Sequence, residues 1–182
     1  MEVVQEPIPG LFVLKPKVFG DHRGYFFESF NEDFWSNLLG RTPRFVQDNQ
    51  SLSSAGVLRG LHFQKPPMAQ SKLVRVTSGA VFDVAVDLRK NSPTYGKWFG
   101  EVLSDENHLQ MFIPAGFAHG FLTLKDNTLF QYKCEQFYAP ETEGAIRWDD
   151  PSIGIDWGIK DPQLSEKDKV APLFNEFKSP FE

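Results

Sequence analysis

From residue 45 onward, apolar and polar positions alternate with a period of two. RFVQDNQS, GVLRGLHFQ, SKLVRVTSG, AVFDVAVDLR, KWFGEVLS, HLQMFIPAG, AHGFLTL and TLFQYKCEQFY read as short strands. Turn-forming runs such as SSAG, KPP, NSPTYG, SDEN and KDN separate them. Regular short strands of this kind predict an all-β sandwich or barrel, and an antiparallel jelly-roll barrel with a short peripheral helix fits best. Upstream, LFVLKPKVF (11–19) is apolar with an internal proline, which predicts an edge strand or a strand end. GYFFESF (24–30) continues as strand. NEDFWSNLLGR (31–41) predicts a helix, because Asn31 can cap it, Glu32 and Asp33 suit its positive start, and Gly40 suits the position after its end. Phe34, Trp35, Leu38 and Leu39 then form one apolar stripe. The tail is loop-like around DDPSIGIDW, with one helical turn expected from Ser165. Without repeats or long linkers, residues 1–182 are expected to form one domain.

Strand parity sorts the polar residues, since i and i+2 point the same way. Gln47 and Asn49 share a face with Phe45, Lys72 with Val74, His119 with Phe121, and Tyr132 with Phe130 and Cys134. Mixed faces of this kind suit the lining of a barrel pocket. Arg59 and His62 differ by three, so a regular strand sends them to opposite faces, with Arg59 facing solvent. If both serve one pocket, Gly60 must carry a bulge between them.

Composition narrows the class. Apolar residues make up 41% and charged residues 24% of the 182, ordinary values for a globular protein. A net charge of −5 argues against nucleic-acid binding through an overall field, while leaving room for a local basic pocket. Cys134 is the only cysteine, which excludes an intrachain disulfide. MEVVQEPIPG has no basic stretch followed by an apolar core, and no apolar run reaches membrane-spanning length. A cytoplasmic protein without a membrane partner is expected.

IPAGFAHGF (113–121) matches the PxGxxH element of cupin barrels through Pro114, Gly116 and His119. Metal-dependent cupins add an HxH pair, whereas here His62 is followed at i+2 by Gln64, whose neutral amide is a poor transition-metal ligand. The expectation is a pocket with no metal and no cofactor. His62, Lys72, His119 and Tyr132 suit proton chemistry: imidazole accepts a proton near pH 7, phenol donates one, and ammonium stabilises an oxyanion. An imidazole base works best with an orienting carboxylate. Asp168 is one candidate, although Ser165-x-x-Asp168 also fits a helix capping box, and Asp83 is the other.

Taken together, KVFGDHRGYFFESFN, FVQDNQSLSSAGVLRGLHFQ, QSKLVRVTSGAVFDVAVDLRKNSPTYGKW, FIPAGFAHGFLTL, and RWDDPSIGIDW followed by LSEKDK resemble the dTDP-4-dehydrorhamnose 3,5-epimerase family, cupin-fold enzymes of dTDP-L-rhamnose biosynthesis. The resemblance spans residues 17–169. It implies that His62 is the base, that Asp168 is its carboxylate partner, and that Tyr132 is the acid on the opposite face. It further implies that Lys72 stabilises the enolate. Arg23, Glu28, Gln47, Asn49, Arg59, His119, Glu143 and Lys167 fall on its substrate-binding positions, with the two arginines suited to a diphosphate, and Phe121 shares His119's face. Phe19 and Phe26 are further candidates to floor the sugar or stack on the base. The resemblance also implies a homodimer in which N-terminal strands cross to the neighbour, and LFVLKPKVF is expected to be the crossing segment.

The chemistry asks for such a set. Inverting C3 and C5 of a 4-keto sugar requires a base, an acid on the other face and a cation at the ketone oxygen. Alternatives on the same fold are a 3- or 5-mono-epimerase, a ketoisomerase, and a sugar-nucleotide-binding barrel without turnover. Tyr132 favours the double epimerase over the first two, and the pairing of His62 with Tyr132 favours an enzyme over the last.

Overall fold

The alternating segments fold as antiparallel strands in a computed structural model that describes residues 1–182. In chain order these are β1 (Glu2–Ile8), β2 (Leu11–Lys15), β3 (Phe19–Asp21), β4 (Gly24–Phe26), β5 (Gln47–Ser53), β6 (Leu58–Gln64) and β7 (Lys72–Ser78). They continue as β8 (Ala80–Asp87), β9 (Trp98–Ser104), β10 (Gln110–Ile113), β11 (Phe117–Thr123), β12 (Thr128–Cys134) and β13 (Glu143–Ala145). Two helices, α1 (Glu32–Leu39) and α2 (Glu166–Lys169), complete the regular elements with two 3₁₀ turns. A six-stranded sheet in the order β1-β2-β10-β7-β12-β5 faces a five-stranded sheet in the order β13-β6-β11-β8-β9, the cupin-type jelly roll. The β3–β4 ribbon stands apart from both.

Each face of each sheet has its own cover. Between the sheets, Val74, Val76 and Phe130 meet Val81, Ala85 and Phe121. The outer face of the six-stranded sheet is covered by α1, whose fully buried Trp35 packs on Leu14, Leu73 and Phe112. Helix α1 forms as its capping residues dictate: Asn31 Oδ1 accepts from the Phe34 amide at 2.9 Å, and Gly40 turns left-handed at φ 66°. The outer face of the five-stranded sheet is covered by the C-terminal third, through Ile146, Ile153, Trp157 and Phe181.

Of the two readings of LFVLKPKVF, the strand end is the one found: β2 stops at Lys15, because Pro16 has no amide to donate. Residues 11–15 leave no strand edge free within this fold. β2 lies between β1 and β10 of its own sheet, and Leu11, Val13 and Leu14 are wholly buried in this chain's core. The sheet edge is β1, with Val3 and Val4 exposed. GYFFESF contributes only three residues of strand, in a ribbon whose Phe19, Tyr25 and Phe26 face outward. The expected strand over 24–30 is thus shortened to Gly24–Phe26.

Candidate active site

A cavity of about 590 Å³ is lined by residues of both sheets. The six-stranded wall supplies Asn49, Lys72 and Tyr132, and the five-stranded wall supplies Arg59, His62, His119 and Phe121. Lys167 and Asp168 close it from the C-terminal tail. His62 and Tyr132 therefore approach the cavity from different sheets.

Arg59 and His62 reach the same cavity through the bulge that parity requires. His119 pairs with His62 and Phe121 with Arg59, so two steps on β11 match three on β6. Gly60 takes φ +131° there, and a Cβ on it would stand 2.5 Å from Gly120 Cα and 2.9 Å from the His119 carbonyl oxygen. A Cβ on Gly120 would in turn sit 2.8 Å from the Arg59 carbonyl oxygen. The two glycines permit a close strand crossing that no side chain allows.

Asp168 arrives from a distant part of the chain. Leu58 donates to the Gln163 carbonyl at 3.0 Å and Gln163 donates to the Gly56 carbonyl at 2.8 Å, which ties the tail to the start of β6. Ser165 then caps α2 by accepting from the Asp168 amide at 3.2 Å. This turns the buried Asp168 carboxylate onto His62 Nε2 at 2.5 Å. The helix-capping and histidine-partner readings of Asp168 are both realised, one through its backbone and one through its side chain. Burial pushes the Asp168 carboxyl up, but its bonds to His62 and Ser165 and the nearby positive charges outweigh that and hold it below the usual value. An ionised carboxylate only accepts, so the bond between them is one donated by His62 Nε2.

Asp83, the competing partner, belongs to His119 instead. Its fully buried oxygens lie 3.1 and 3.0 Å from His119 Nε2. Burial raises the Asp83 carboxyl and lowers the His119 imidazole, with their mutual attraction opposing both shifts. Burial also lowers the Lys72 ammonium, against which Asp83 and Glu143 act. The Lys72 Nζ lies 5.9 Å from the centre of the Tyr132 ring. Burial raises the Tyr132 phenol, which keeps its proton available for donation. Phe121 stacks on Phe130 at 4.2 Å to form an apolar patch beside these groups.

Other predicted residues lie at the margin or away from it. Gln47 bonds Asn49 at 2.9 Å and accepts from the Tyr138 amide. Glu143 pairs with Lys167 at 2.7 Å. Arg23 and Glu28 are exposed and do not line this chain's cavity; Arg23 pairs with Asp21 on the β3–β4 ribbon. Phe19 and Phe26 are likewise exposed on that ribbon and outside the cavity. Sequence reasoning missed Ser51, which lines the cavity, and Ser53, which holds Arg59 by accepting from Nε and Nη2 at 3.3 and 3.2 Å. Continuing the parity of Gln47 and Asn49 along β5 points to both. No cluster of three or more His, Cys, Asp or Glu side chains with metal-binding geometry occurs. No helix is long and apolar enough to cross a membrane.

A family model described as dTDP-4-dehydrorhamnose 3,5-epimerase matches residues 5–176. The chain is 54% identical to the dTDP-4-dehydrorhamnose 3,5-epimerase of Salmonella typhimurium over 177 residues, 97% of each chain. Among solved structures, the dTDP-4-dehydrorhamnose 3,5-epimerase of Elizabethkingia anophelis superposes with a TM-score of 0.93 at 50% identity, over 97% of each chain. The dTDP-6-deoxy-D-glucose-3,5-epimerase of Legionella pneumophila, solved with dTDP-4-keto-L-rhamnose, superposes with a TM-score of 0.94 at 48% identity, covering 100% of this chain and 98% of the other.

Proposed function

The chain belongs to the dTDP-4-dehydrorhamnose 3,5-epimerase family, and from that premise we propose how its residues divide the chemistry. The enzyme is an isomerase of dTDP-rhamnose biosynthesis, epimerising dTDP-4-dehydro-6-deoxy-D-glucose at C3 and C5 to dTDP-4-dehydro-L-rhamnose. His62 Nδ1 takes the proton from C3, and in a second cycle from C5. The electron pair moves onto the C4 oxygen, where Lys72 supplies positive charge to the enolate and His119 binds beside it. Tyr132 returns a proton to the same carbon from the other face, inverting it. Exchange with solvent then removes the proton from His62 and restores the one on Tyr132. Asp168 holds His62 in the tautomer that this needs. The observation that carries the assignment is the placement of the His62–Asp168 pair and Tyr132 on different sheets around one cavity.

Arg59, steadied by Ser53, receives the diphosphate through its planar fork. Asn49, Gln47, Phe121, Glu143 and Lys167 line or flank the path to the nucleoside. The chemistry is complete with proton donors, acceptors and one ammonium, so no cofactor is required. We further propose that residues 1–182 act as one cytoplasmic domain, and that two copies exchange N-terminal segments. The exposed Phe19, Tyr25 and Phe26 and the outlying Arg23 and Glu28 support this, since a neighbour's cavity would give all of them partners. Mixing inactive Arg23→Ala and His62→Asn proteins tests the exchange: a hybrid dimer holds one intact composite site, so activity returns. No recovery from subunits shown to exchange would sink it.

The reaction itself is tested by incubating the enzyme with dTDP-4-keto-6-deoxyglucose in deuterated water. Deuterium at C3 and C5 with both centres inverted is the expected product. Exchange and inversion at one carbon alone would replace the double epimerase with a mono-epimerase.

A further inference from the structure

Strand β5 turns a row of short polar side chains toward the barrel interior, and register places each one. Asn49 lies opposite Tyr132, Ser51 opposite Phe130, and Ser53 opposite Thr128. Ser53 holds Arg59. Ser51 therefore stands between the residue that returns the proton and the residue that receives the diphosphate.

Its hydroxyl is unspent. Ser51 Oγ is one of four buried side-chain polar atoms without a hydrogen-bond partner, and the other three belong to Trp35, Gln110 and Thr123, none of which lines the catalytic cavity. Buried polar groups in native proteins are almost always paired, so an orphan at a binding site points to a ligand group. A serine hydroxyl both donates and accepts, and rotation about χ1 turns it toward an occupant without moving the backbone.

The geometry of the substrate selects the group. The diphosphate leaves the sugar at C1, and proton transfer takes place at C3 and C5. Between C1 and C3 lies C2. A 4-keto-6-deoxy sugar carries ring hydroxyls only at C2 and C3, and the C3 hydroxyl changes face during the reaction. Only the C2 hydroxyl keeps its configuration from substrate to product, so only it can hold one fixed contact throughout. We propose that Ser51 hydrogen-bonds the C2 hydroxyl of the sugar and makes the enzyme select against 2-deoxy sugars, an inference that rests on the site reading given above. A site built to bond a hydroxyl rejects the analogue lacking it, because its own polar group is left unpaired.

The test compares wild type and Ser51→Ala on the parent dTDP-4-keto-6-deoxy sugar and on its 2-deoxy analogue. Ser51→Ala should lower kcat/KM on the parent by about tenfold, the scale of one neutral hydrogen bond. Wild type should lose a similar factor on the 2-deoxy sugar, and the variant should lose nothing further, because both changes remove the same contact. Affinity for dTDP alone should stay within about twofold of wild type, the nucleotide not reaching Ser51. The free variant should melt no lower than wild type, since no protein hydrogen bond is lost. A parent rate equal to wild type would overturn the proposal, as would full retention of discrimination against the 2-deoxy sugar. A parallel loss of dTDP affinity would overturn it in favour of a phosphate contact. A wild-type enzyme inert on the parent sugar would instead remove the site reading itself, and this proposal with it.

Discussion

His62 and His119 sit opposite each other on neighbouring strands, each with Nε2 against an aspartate. The His62 side chain is 28% exposed and its partner is delivered by α2, 106 residues away. The His119 side chain is 7% exposed and its partner is 36 residues away on a barrel strand. The balance of hydrogen bonding against desolvation separates their chemistry. At the cavity wall, hydrogen bonds outweigh desolvation and keep Asp168 ionised, so it can orient a base. In the interior, desolvation leads, weakening the charge on both Asp83 and His119. The same two residue types thus make a partly exposed pair at the cavity wall in one place and a desolvated pair in the other.

The largest expected effect falls on the outer pair. His62→Asn should lower kcat/KM by roughly 10³-fold, within the range for losing a general base, and abolish deuterium entry at both C3 and C5. His119→Asn should leave exchange readily measurable. If His62→Asn still washed deuterium into both carbons at the wild-type rate, the roles of the two pairs would be exchanged or the base would lie elsewhere.

Asp168→Asn should follow, with a loss on the order of 10²-fold in kcat, because an amide can donate to Nε2 and so favour the tautomer with Nδ1 protonated. A variant keeping full activity would mean that His62 needs no orienting partner.

Asp83→Asn should cost less, about tenfold in kcat, since this pair does not touch the migrating proton. Its distinguishing mark is the pH profile. Asp83 is one of the charges that oppose the lowering of Lys72 by burial. Removing it lowers the ammonium further, so the alkaline limb of kcat/KM should move to lower pH. An unmoved limb would separate Asp83 from Lys72.

The last contrast is in how stability depends on pH at the two sites. Asp168 is held below its unfolded value, so its stabilisation is complete above that value and fades as pH falls through the folded one. Asp83 is raised, so its contribution is complete below the unfolded value and fades as pH rises through the folded one. In urea midpoints measured across the acid range, Asp168→Asn should therefore flatten the acid-side loss. Asp83→Asn should gain on wild type as pH rises. Parallel curves for the two variants would erase the contrast between the pairs.

Much of this was legible in the chain. The helix at 32–39 followed from Asn31, the apolar stripe and Gly40, all of which act within a few residues. The bulge at Gly60 was legible as a condition: a three-residue spacing on a strand of period two lets Arg59 and His62 share a pocket only through an irregularity there. The strand over 24–30 was read too long, because period and composition do not show where pairing with a neighbouring strand stops. Ser51 and Ser53 were overlooked because small hydroxyl residues on a strand carry no chemical flag of their own.

What the sequence by itself determined was local and periodic: strand positions, inward-facing parity, the capped helix, and a set of histidines, lysine and tyrosine suited to proton transfer. These depend on backbone stereochemistry and on side-chain spacing, which the order of residues states directly. Which aspartate meets which histidine was decided only by the tertiary structure. Asp83 and Asp168 are equivalent on paper, and the choice between them turns on how the tail is tied to β6 and on how deeply β8 is buried. Distance, desolvation and the hydrogen bonds they permit are properties of the folded volume, and they set one pair at the cavity wall and the other in the buried interior.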